Sequence, residues 1–237
     1  MVIPDPALEV LLPAYNESES IEATVREIYE ELSPRVALQF IITEDGSTDD
    51  TKEVLVRLSL KYPMKLITSQ RRKGYGPALI DGMRLLDAPY VLCLDSDGQC
   101  DPRDFWKFWE SRESSDMLVG WRVHRKRGLG RMALSFAFYA FYQLMFRVPA
   151  HDPSFCYVLA HRKVVDRLLP ELGEMKEGFW WEFNARAHRR HFRIREFPVN
   201  HRDRLTGGTR IFRLSKLPGM GYRHFLALFK VWHQTRT

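Results

Sequence analysis

The first half of the chain alternates short apolar runs with segments whose apolar residues recur at helical spacing. The apolar runs predict strands over residues 8–16, 38–47, 64–69 and 90–98. Helical spacing, as in the series Ile21, Val25, Ile28 and Leu32, predicts helices over residues 18–32, 48–60 and 74–86. This alternation is typical of a parallel sheet covered by helices on both faces, so we expect an α/β fold.

The second half is less regular. Its patterns predict strands over residues 116–121 and 191–199 and helices over residues 132–146 and 179–190. Residues 156–169 are predicted to begin as a strand and continue as a helix. The tail is apolar and basic and predicts a further helix after Pro218. We expect one domain over residues 1–215, followed by an amphipathic helical tail at residues 216–237.

Polar and acidic residues follow three of the four strands predicted in the first half. They are Tyr15-Asn16-Glu17, Glu44-Asp45 and Asp95-Ser96-Asp97. The carboxyl ends of parallel strands form the edge where α/β proteins bind ligands. Mg²⁺ and Mn²⁺ take carboxylate oxygens from a protein and further ligands from substrate phosphates. The last triplet therefore predicts a site for a divalent cation and a diphosphate; the alternative is a solvated turn in which Asp97 caps the next helix.

Asp45 and Tyr15 predict a nucleoside pocket between the first two strands. Asp45 could accept a hydrogen bond from a base or a ribose, Tyr15 could stack on the base, and Pro13 would shape the turn. The alternative for this stretch is an Asx turn that begins the following helix.

Charge is divided unequally between the two halves. Residues 1–121 contain 13 Lys and Arg and 22 Asp and Glu, whereas residues 122–237 contain 23 and 8. The basic half favours contact with phosphates, lipid head groups or nucleic acid, and a dispersed solvated surface is the alternative. Arg204 and Arg210 flank two glycines and are interpreted as a lid that clamps a phosphate; the alternative is an ordinary surface loop.

The segment 132–146 carries six aromatic residues directly after a basic turn. This favours a helix that lies in a membrane interface, and a buried core helix is the alternative. The segment is shorter than the roughly 20 residues that span a bilayer.

The N-terminus lacks the basic and apolar regions of a signal peptide, so none is expected. Cys93, Cys100 and Cys156 are widely spaced and are expected to be reduced thiols of a cytoplasmic protein.

Two common nucleotide-binding classes are disfavoured. The GYGPA segment at residues 74–78 lacks the GxxxxGK[ST] pattern of P-loop kinases, and no GxGxxG of NAD-dependent dehydrogenases follows the first strand. Arg71-Arg72-Lys73-Gly74 nevertheless precedes a predicted helix, and cations beside a helix N-terminus suit phosphate.

Six segments occur in an order that resembles glycosyltransferase family 2: LPAYNESESI, ITEDGSTDDT, RRKGYGPALIDGM, LDSDGQ, VGWR and DPSFCYVLAHRKVV. The resemblance covers about residues 8–215 and is closest to the dolichol-phosphate mannose synthases and related polyprenyl-phosphate glycosyltransferases. It implies the GT-A fold, with a Rossmann-like and mostly parallel central sheet. It also implies inverting transfer of a hexose from a nucleotide sugar.

The resemblance assigns roles to residues of this chain. The nucleoside pocket would be lined by Pro13, Tyr15, Glu17, Thr43 and Asp45. The metal, Mg²⁺ or Mn²⁺, would be surrounded by Asp95, Asp97 and Gln99, with Ser96 touching the donor. The donor sugar or phosphates would be contacted by Arg122, Arg204 and Arg210. The residues expected to act in catalysis are Asp97, Arg122 and Asp152.

The chain departs from the family pattern at two positions. Glu44 stands where an aspartate is usual, and Cys156 stands where many mannose synthases have a glycine. The loop from Asp152 to Cys156 lies near the acceptor in the family, so this second departure concerns the acceptor.

Three functions follow as hypotheses. The first is hexose transfer from GDP-mannose or UDP-glucose to a polyprenyl phosphate, by a cytoplasmic protein bound peripherally to the membrane and without nucleic acid. The second is transfer to a saccharide or other hydroxyl, which requires a general base, with Asp152 and Glu182 as candidates. The third is non-catalytic binding of nucleic acid or anionic membrane by the basic half.

Overall fold

The computed structural model of the chain describes residues 5–123, 129–203 and 217–236. Within these residues one sheet has seven strands: β1 (Leu8–Ala14), β2 (Leu38–Glu44), β3 (Met64–Thr68), β4 (Tyr90–Cys93), β5 (Met117–Arg122), β6 (Val158–His161) and β7 (Ile194–Val199). Their order across the sheet is β3-β2-β1-β4-β6-β5-β7. Strand β6 is antiparallel to both of its neighbours, and the other adjacent pairs are parallel. The prediction of a mostly parallel central sheet is confirmed.

The described helices are α1 (Ile21–Leu32), α2 (Thr51–Ser59), α3 (Tyr75–Met83), α4 (Phe105–Ser111), α5 (Leu129–Phe146), α6 (Arg162–Leu168), α7 (Phe179–Arg189) and α8 (Leu217–Gln234). Helix α4 was not predicted from the sequence. It follows a 3-10 turn that Asp101 caps by accepting a hydrogen bond from the Arg103 N–H, and it buries Phe105 and Phe108. Its seven residues are too few for a clear helical repeat.

Strands β2 and β4 end earlier than their apolar runs predicted. Strand β2 ends at Glu44 and β4 at Cys93, so the acidic residues beyond them lie in loops at the carboxyl edge of the sheet. Gly46 has a φ of +70°, and a Cβ there would lie 2.5 Å from the carbonyl carbon of Arg71. The loop after β2 therefore needs a glycine where it passes the basic segment before α3.

Helix α8 packs on the domain. Leu228 and Val231 are fully buried, and Arg186 of α7 donates a hydrogen bond to Gln234. The helix predicted after Pro218 is confirmed, whereas the boundary at residues 215/216 lies outside the described residues and stays a prediction. In the part of the chain that the structure describes, no helix is both long enough and apolar enough to span a bilayer.

Candidate active site

Asp95 lies two residues beyond the end of β4, next to the neutral side chains of Tyr75 and Cys156. The Tyr75 hydroxyl donates to Asp95 Oδ1 over 2.8 Å, and Trp180 Nε1 donates to the Tyr75 oxygen over 2.9 Å. The Cys156 thiol is buried beside Asp95, with its Sγ 3.9 Å from that of Cys100. The relay of Trp180 and Tyr75 joins α7 and α3 to one carboxylate, and it orients the carboxylate without neutralising its charge.

The pKa values of Tyr75 and Cys156 support this arrangement. Burial, together with the negative charge of Asp95, raises the pKa of Tyr75 well above its ordinary value. Burial also raises the pKa of Cys156, with contributions from Cys100 and Asp95. Both side chains therefore keep their protons at neutral pH.

Ser96 fixes the loop to the sheet. Its hydroxyl donates to the Pro13 carbonyl oxygen over 2.8 Å, and its own carbonyl oxygen accepts from the Thr24 hydroxyl of α1 over 3.2 Å and lies 3.3 Å from the hydroxyl of Ser20, which precedes α1. The side chain expected to touch the donor is thus also part of the scaffold. These bonds hold Asp95 and Asp97 on either side of an anchored residue.

Asp97 and Gln99 continue the loop towards the end of β7. Asp97 Oδ1 accepts from the Gln99 N–H over 3.1 Å, and Gly98 between them has a φ of +73°. The Gln99 side-chain amide donates to the Arg202 carbonyl oxygen over 3.0 Å, and the Arg202 N–H donates back to the Gln99 carbonyl oxygen. The chain after β7 therefore approaches the Asp95-Ser96-Asp97 loop at Arg202, two residues before Arg204, which with Arg210 lies outside the described residues.

The carboxylates suit a divalent cation that shares its ligands with a substrate. Among the described residues no three His, Cys, Asp or Glu side chains group as a self-sufficient metal site. Mg²⁺ and Mn²⁺ need only one or two carboxylates when phosphates and water supply the remaining oxygens. Asp95, with neutral side chains around it, and the nearby Asp97 fit that role, whereas the Gln99 amide nitrogen is directed to a carbonyl.

The residues predicted for the nucleoside lie along the ends of β1 and β2. The two strands are in register, with Pro13 opposite Thr43. Asp45 is buried, and its two carboxylate oxygens accept the N–H groups of Lys73 and Gly74 over 2.7 and 2.8 Å. Asp45 therefore holds the basic segment before α3 beside the end of β2, a role that the sequence did not indicate.

Tyr15, Glu17 and Thr43, which were also predicted to line the nucleoside pocket, each make different contacts. The Arg72 guanidinium lies 4.0 Å from the Tyr15 ring centroid, so one face of the ring already carries a cation. Glu17 accepts a hydrogen bond from the Ser20 hydroxyl over 2.7 Å. Thr43 is buried, and its hydroxyl has no hydrogen-bond partner among the described residues.

Arg122 and Asp152 form a two-bond ion pair at the end of β5. Arg122 donates from Nε and Nη2 to the two carboxylate oxygens of Asp152, at 2.6 and 2.9 Å. The guanidinium lies 4.8 Å from the Phe155 ring centroid. Planar fork geometry of this kind fixes both partners, so the loop before β6 is locked to β5.

His201 lies among the charged groups of this site. Burial and the positive charge of Arg122 lower its pKa, while Asp95 and Asp152 act in the opposite direction. Its ring contacts that of Phe155, with the centroids 5.5 Å apart. His201 is therefore neutral at pH 7 and takes up a proton only below its ordinary pKa of about 6.5, because burial disfavours the charged ring.

Glu182, a candidate base, is held in a buried ion pair. It is fully buried, and its oxygens accept from Arg186 Nε over 2.8 Å and from the N–H groups of Gly173 and Met175. Helix α7 reaches the site instead through Trp180 and through Asn184, which donates to the Pro153 carbonyl oxygen. Tyr75, Trp180 and His201 were missed by the sequence reasoning, because no local motif marks side chains that meet only after folding.

A family model shows what kind of protein combines these features. The model of glycosyl transferase family 2 matches residues 9–169, more than half of the chain. Over 242 residues the chain is 29% identical to glycosyltransferase AglD of Haloferax volcanii, covering 96% of this chain and 37% of that protein. Over 116 residues it is 31% identical to the dolichol-phosphate mannosyltransferase of Pyrococcus furiosus, covering 48% and 33%. The chain thus spans about a third of the length of these two curated relatives.

Solved structures show the same architecture. The glucosyl-3-phosphoglycerate synthase of Mycobacterium tuberculosis, in complex with Mn²⁺, UDP and phosphoglyceric acid, superposes with a TM-score of 0.71 at 19% identity. The match covers 96% of this chain and 79% of that one, which establishes the expected GT-A fold. The chain belongs to glycosyl transferase family 2.

Proposed function

We propose that the chain transfers a hexose from a nucleotide sugar, GDP-mannose or UDP-glucose, to a polyprenyl phosphate. The observation that carries the proposal is the pair Asp95 and Asp97 on one anchored loop, at the carboxyl edge of the sheet and close to Arg122. A polyprenyl-phosphate acceptor is further supported by the similarity to the dolichol-phosphate mannosyltransferase.

Different residues of the chain would bind the cation at the donor diphosphate and contact the donor or acceptor phosphate. A bound Mg²⁺ or Mn²⁺ would stabilise the negative charge on the leaving diphosphate. Asp95 and Asp97 would bind that cation, with Asp95 oriented by the hydrogen bond from Tyr75. Arg122 would present its charge to donor or acceptor phosphate from a position that Asp152 fixes.

The surroundings of the two candidate bases favour a phosphate acceptor over a hydroxyl. A phosphate is already anionic near neutral pH, whereas a hydroxyl must lose a proton during the reaction. Both oxygens of Asp152 accept from Arg122, and Glu182 is buried against Arg186. Transfer to a saccharide or other hydroxyl remains the alternative, and it would require Asp152 to exchange its partner.

Peripheral attachment at the cytoplasmic face of a membrane is part of the same proposal. Large apolar side chains are exposed on α5 and α8, namely Phe136, Leu144, Phe225, Leu226 and Phe229. The partly buried Phe141 joins the two helices, with its ring centroid 4.8 Å from that of Phe225. A contiguous apolar face of this kind suits insertion into a membrane interface, where the acceptor lipid is held.

A thermal-shift screen is expected to identify the donor nucleotide. One of GDP and UDP, with Mn²⁺ or Mg²⁺, should raise the melting temperature, because a ligand at 100 times its Kd stabilises by about 2.7 kcal/mol. The matching nucleotide sugar should then label a polyprenyl phosphate in detergent. No shift with either nucleotide and no labelled lipid would contradict the proposal. Labelling of a soluble hydroxyl acceptor alone would establish the alternative.

Replacing Tyr75 with phenylalanine is expected to raise the concentration of activating cation needed for half-maximal rate by about tenfold or more. The reason is that a hydrogen bond to a charged group contributes about 1.5–3 kcal/mol, and the bond to Asp95 is removed. Tyr90→Phe is the matched control, since it loses a hydroxyl bond to Glu113 at the protein surface. An unchanged cation requirement in Tyr75→Phe would show that the relay does not orient Asp95.

A further inference from the structure

A basic groove lies at the carboxyl-terminal ends of α5, α6, α7 and α8, away from the candidate active site. Its volume is about 1080 Å³. The described residues that line it include five arginines, Arg147, Arg167, Arg189, Arg190 and Arg236, and none of those residues is acidic. Trp180, which donates to the Tyr75 hydroxyl beside Asp95, is at the opposite end of α7 from Arg189. A rise of about 1.5 Å per residue separates the two by roughly 14 Å along the helix.

The positive charge of this groove is only partly compensated. Arg167 and Arg190 share one acidic partner, Glu171, which also lies 3.6 Å from Arg186. Arg189 donates to the carbonyl oxygen of Met145, which carries no formal charge.

Two arginines of the groove also have donors that no described residue satisfies. The Nε atoms of Arg189 and Arg190 are buried without a hydrogen-bond partner among the described residues. Burial and the charges of Arg189 and His191 lower the pKa of His188, as expected in a positive field. Like charges this close repel one another, so an anion that entered the groove would relieve the repulsion.

The groove adjoins the apolar face of α5 and α8. Leu144 lines the groove and is 77% exposed, and Phe229 and Leu226 on α8 are 53% and 47% exposed. The Arg236 guanidinium lies 4.1 Å from the Trp232 ring centroid, and both residues line the groove. Arginines beside exposed apolar and aromatic side chains match the head-group layer of a membrane, where phosphates lie above acyl chains.

We propose that this groove binds the phosphate head group of an anionic membrane lipid and thereby seats α5 and α8 on the bilayer. The lipid is distinct from the acceptor, because its phosphate lies at the far end of α7 from Asp95. The inference extends the membrane attachment proposed above, but it does not depend on which sugar or acceptor is used. Free phosphate offers the same chemistry, and the adjoining apolar face is the reason to assign a lipid.

Vesicle co-sedimentation tests this assignment without any sugar substrate. The full chain should bind vesicles of phosphatidylglycerol in phosphatidylcholine much more tightly than vesicles of phosphatidylcholine alone. Each basic residue at an anionic surface contributes a factor of about five, so Arg147→Gln with Arg236→Gln should weaken binding about 25-fold. Both of these residues are exposed, which keeps the effect on folding small. Adding Arg189→Gln should bring the loss to about 10²-fold.

The matched control removes three charges elsewhere, with Arg57, Arg84 and Arg195 changed to glutamine. These arginines are exposed and do not line the groove. Equal loss of vesicle binding in the control and the groove variants would overturn the proposal, because it would indicate a diffuse charge effect.

Two further arms identify the ligand. Stabilisation by inorganic phosphate or pyrophosphate without vesicle binding would assign the groove to a soluble anion. Groove-dependent binding of single-stranded nucleic acid without vesicle binding would assign it to a polynucleotide. Sugar transfer in detergent should be the same for the double groove variant and the wild type. A loss there would show that the groove serves catalysis, while vesicle binding by a chain that transfers no sugar would leave the groove assignment intact.

Discussion

Replacing Asp97 with asparagine is expected to lower kcat/KM for sugar transfer by about 10²–10³-fold while leaving the fold intact. The amide oxygen of asparagine can still accept the hydrogen bond from the Gln99 N–H, so the loop keeps its shape. The neutral side chain, however, contributes no charge to the cation that stabilises the leaving diphosphate, and loss of one such electrostatic group costs about this much. Steady-state kinetics with varied donor concentration, at saturating cation, would measure the effect.

The matched control for this variant is Asp166→Asn. Asp166 is exposed and pairs with Arg162 on the surface helix α6, so its change should leave kcat/KM within twofold of the wild type. Melting temperatures of both variants should stay close to that of the wild type. Activity of Asp97→Asn within tenfold of the wild type would contradict a metal role for this carboxylate.

Replacing Glu182 with glutamine is expected to destabilise the protein by about 3–5 kcal/mol without a matching loss of kcat in the folded enzyme. The side chains of Glu182 and Arg186 are 0% and 1% exposed, so the change leaves a buried guanidinium without its nearest anion. In a domain of this size each kcal/mol shifts the melting temperature by about 2–4 °C. A decrease of roughly 6–20 °C should therefore be seen by calorimetry.

A double variant separates the structural role of Glu182 from a catalytic one. Glu182→Met with Arg186→Met removes both charges, and should recover part of the stability lost in Glu182→Gln, because apolar replacements of buried ion pairs are often neutral. Glu171 keeps Arg167 and Arg190 as partners in that variant. If Glu182→Gln instead kept its melting temperature but lost kcat by 100-fold, Glu182 would be a general base and a hydroxyl acceptor would be favoured.

The sequence by itself determined the sheet and the edge at which the site lies. Apolar runs of strand length between helical repeats specified a mostly parallel sheet, because such strands must be buried on both faces. The acidic residues that follow β1, β2 and β4 then had to meet, since parallel neighbouring strands end at one edge. The ordered motifs indicated the family, which the match over residues 9–169 confirmed.

Only the tertiary structure decided which side chains act on one another within that frame. Trp180 and Tyr75 are 105 residues apart and meet beside Asp95 because the N-terminal end of α7 lies next to that of α3. The two candidate bases are both in ion pairs: Asp152 pairs with Arg122, and Glu182 is buried against Arg186. The arginines of the groove converge from the ends of four helices, α5, α6, α7 and α8. Sequence periodicity fixes which face of an element is buried, but not which distant side chains share that surface, and pairing and burial set the chemistry of each charged group.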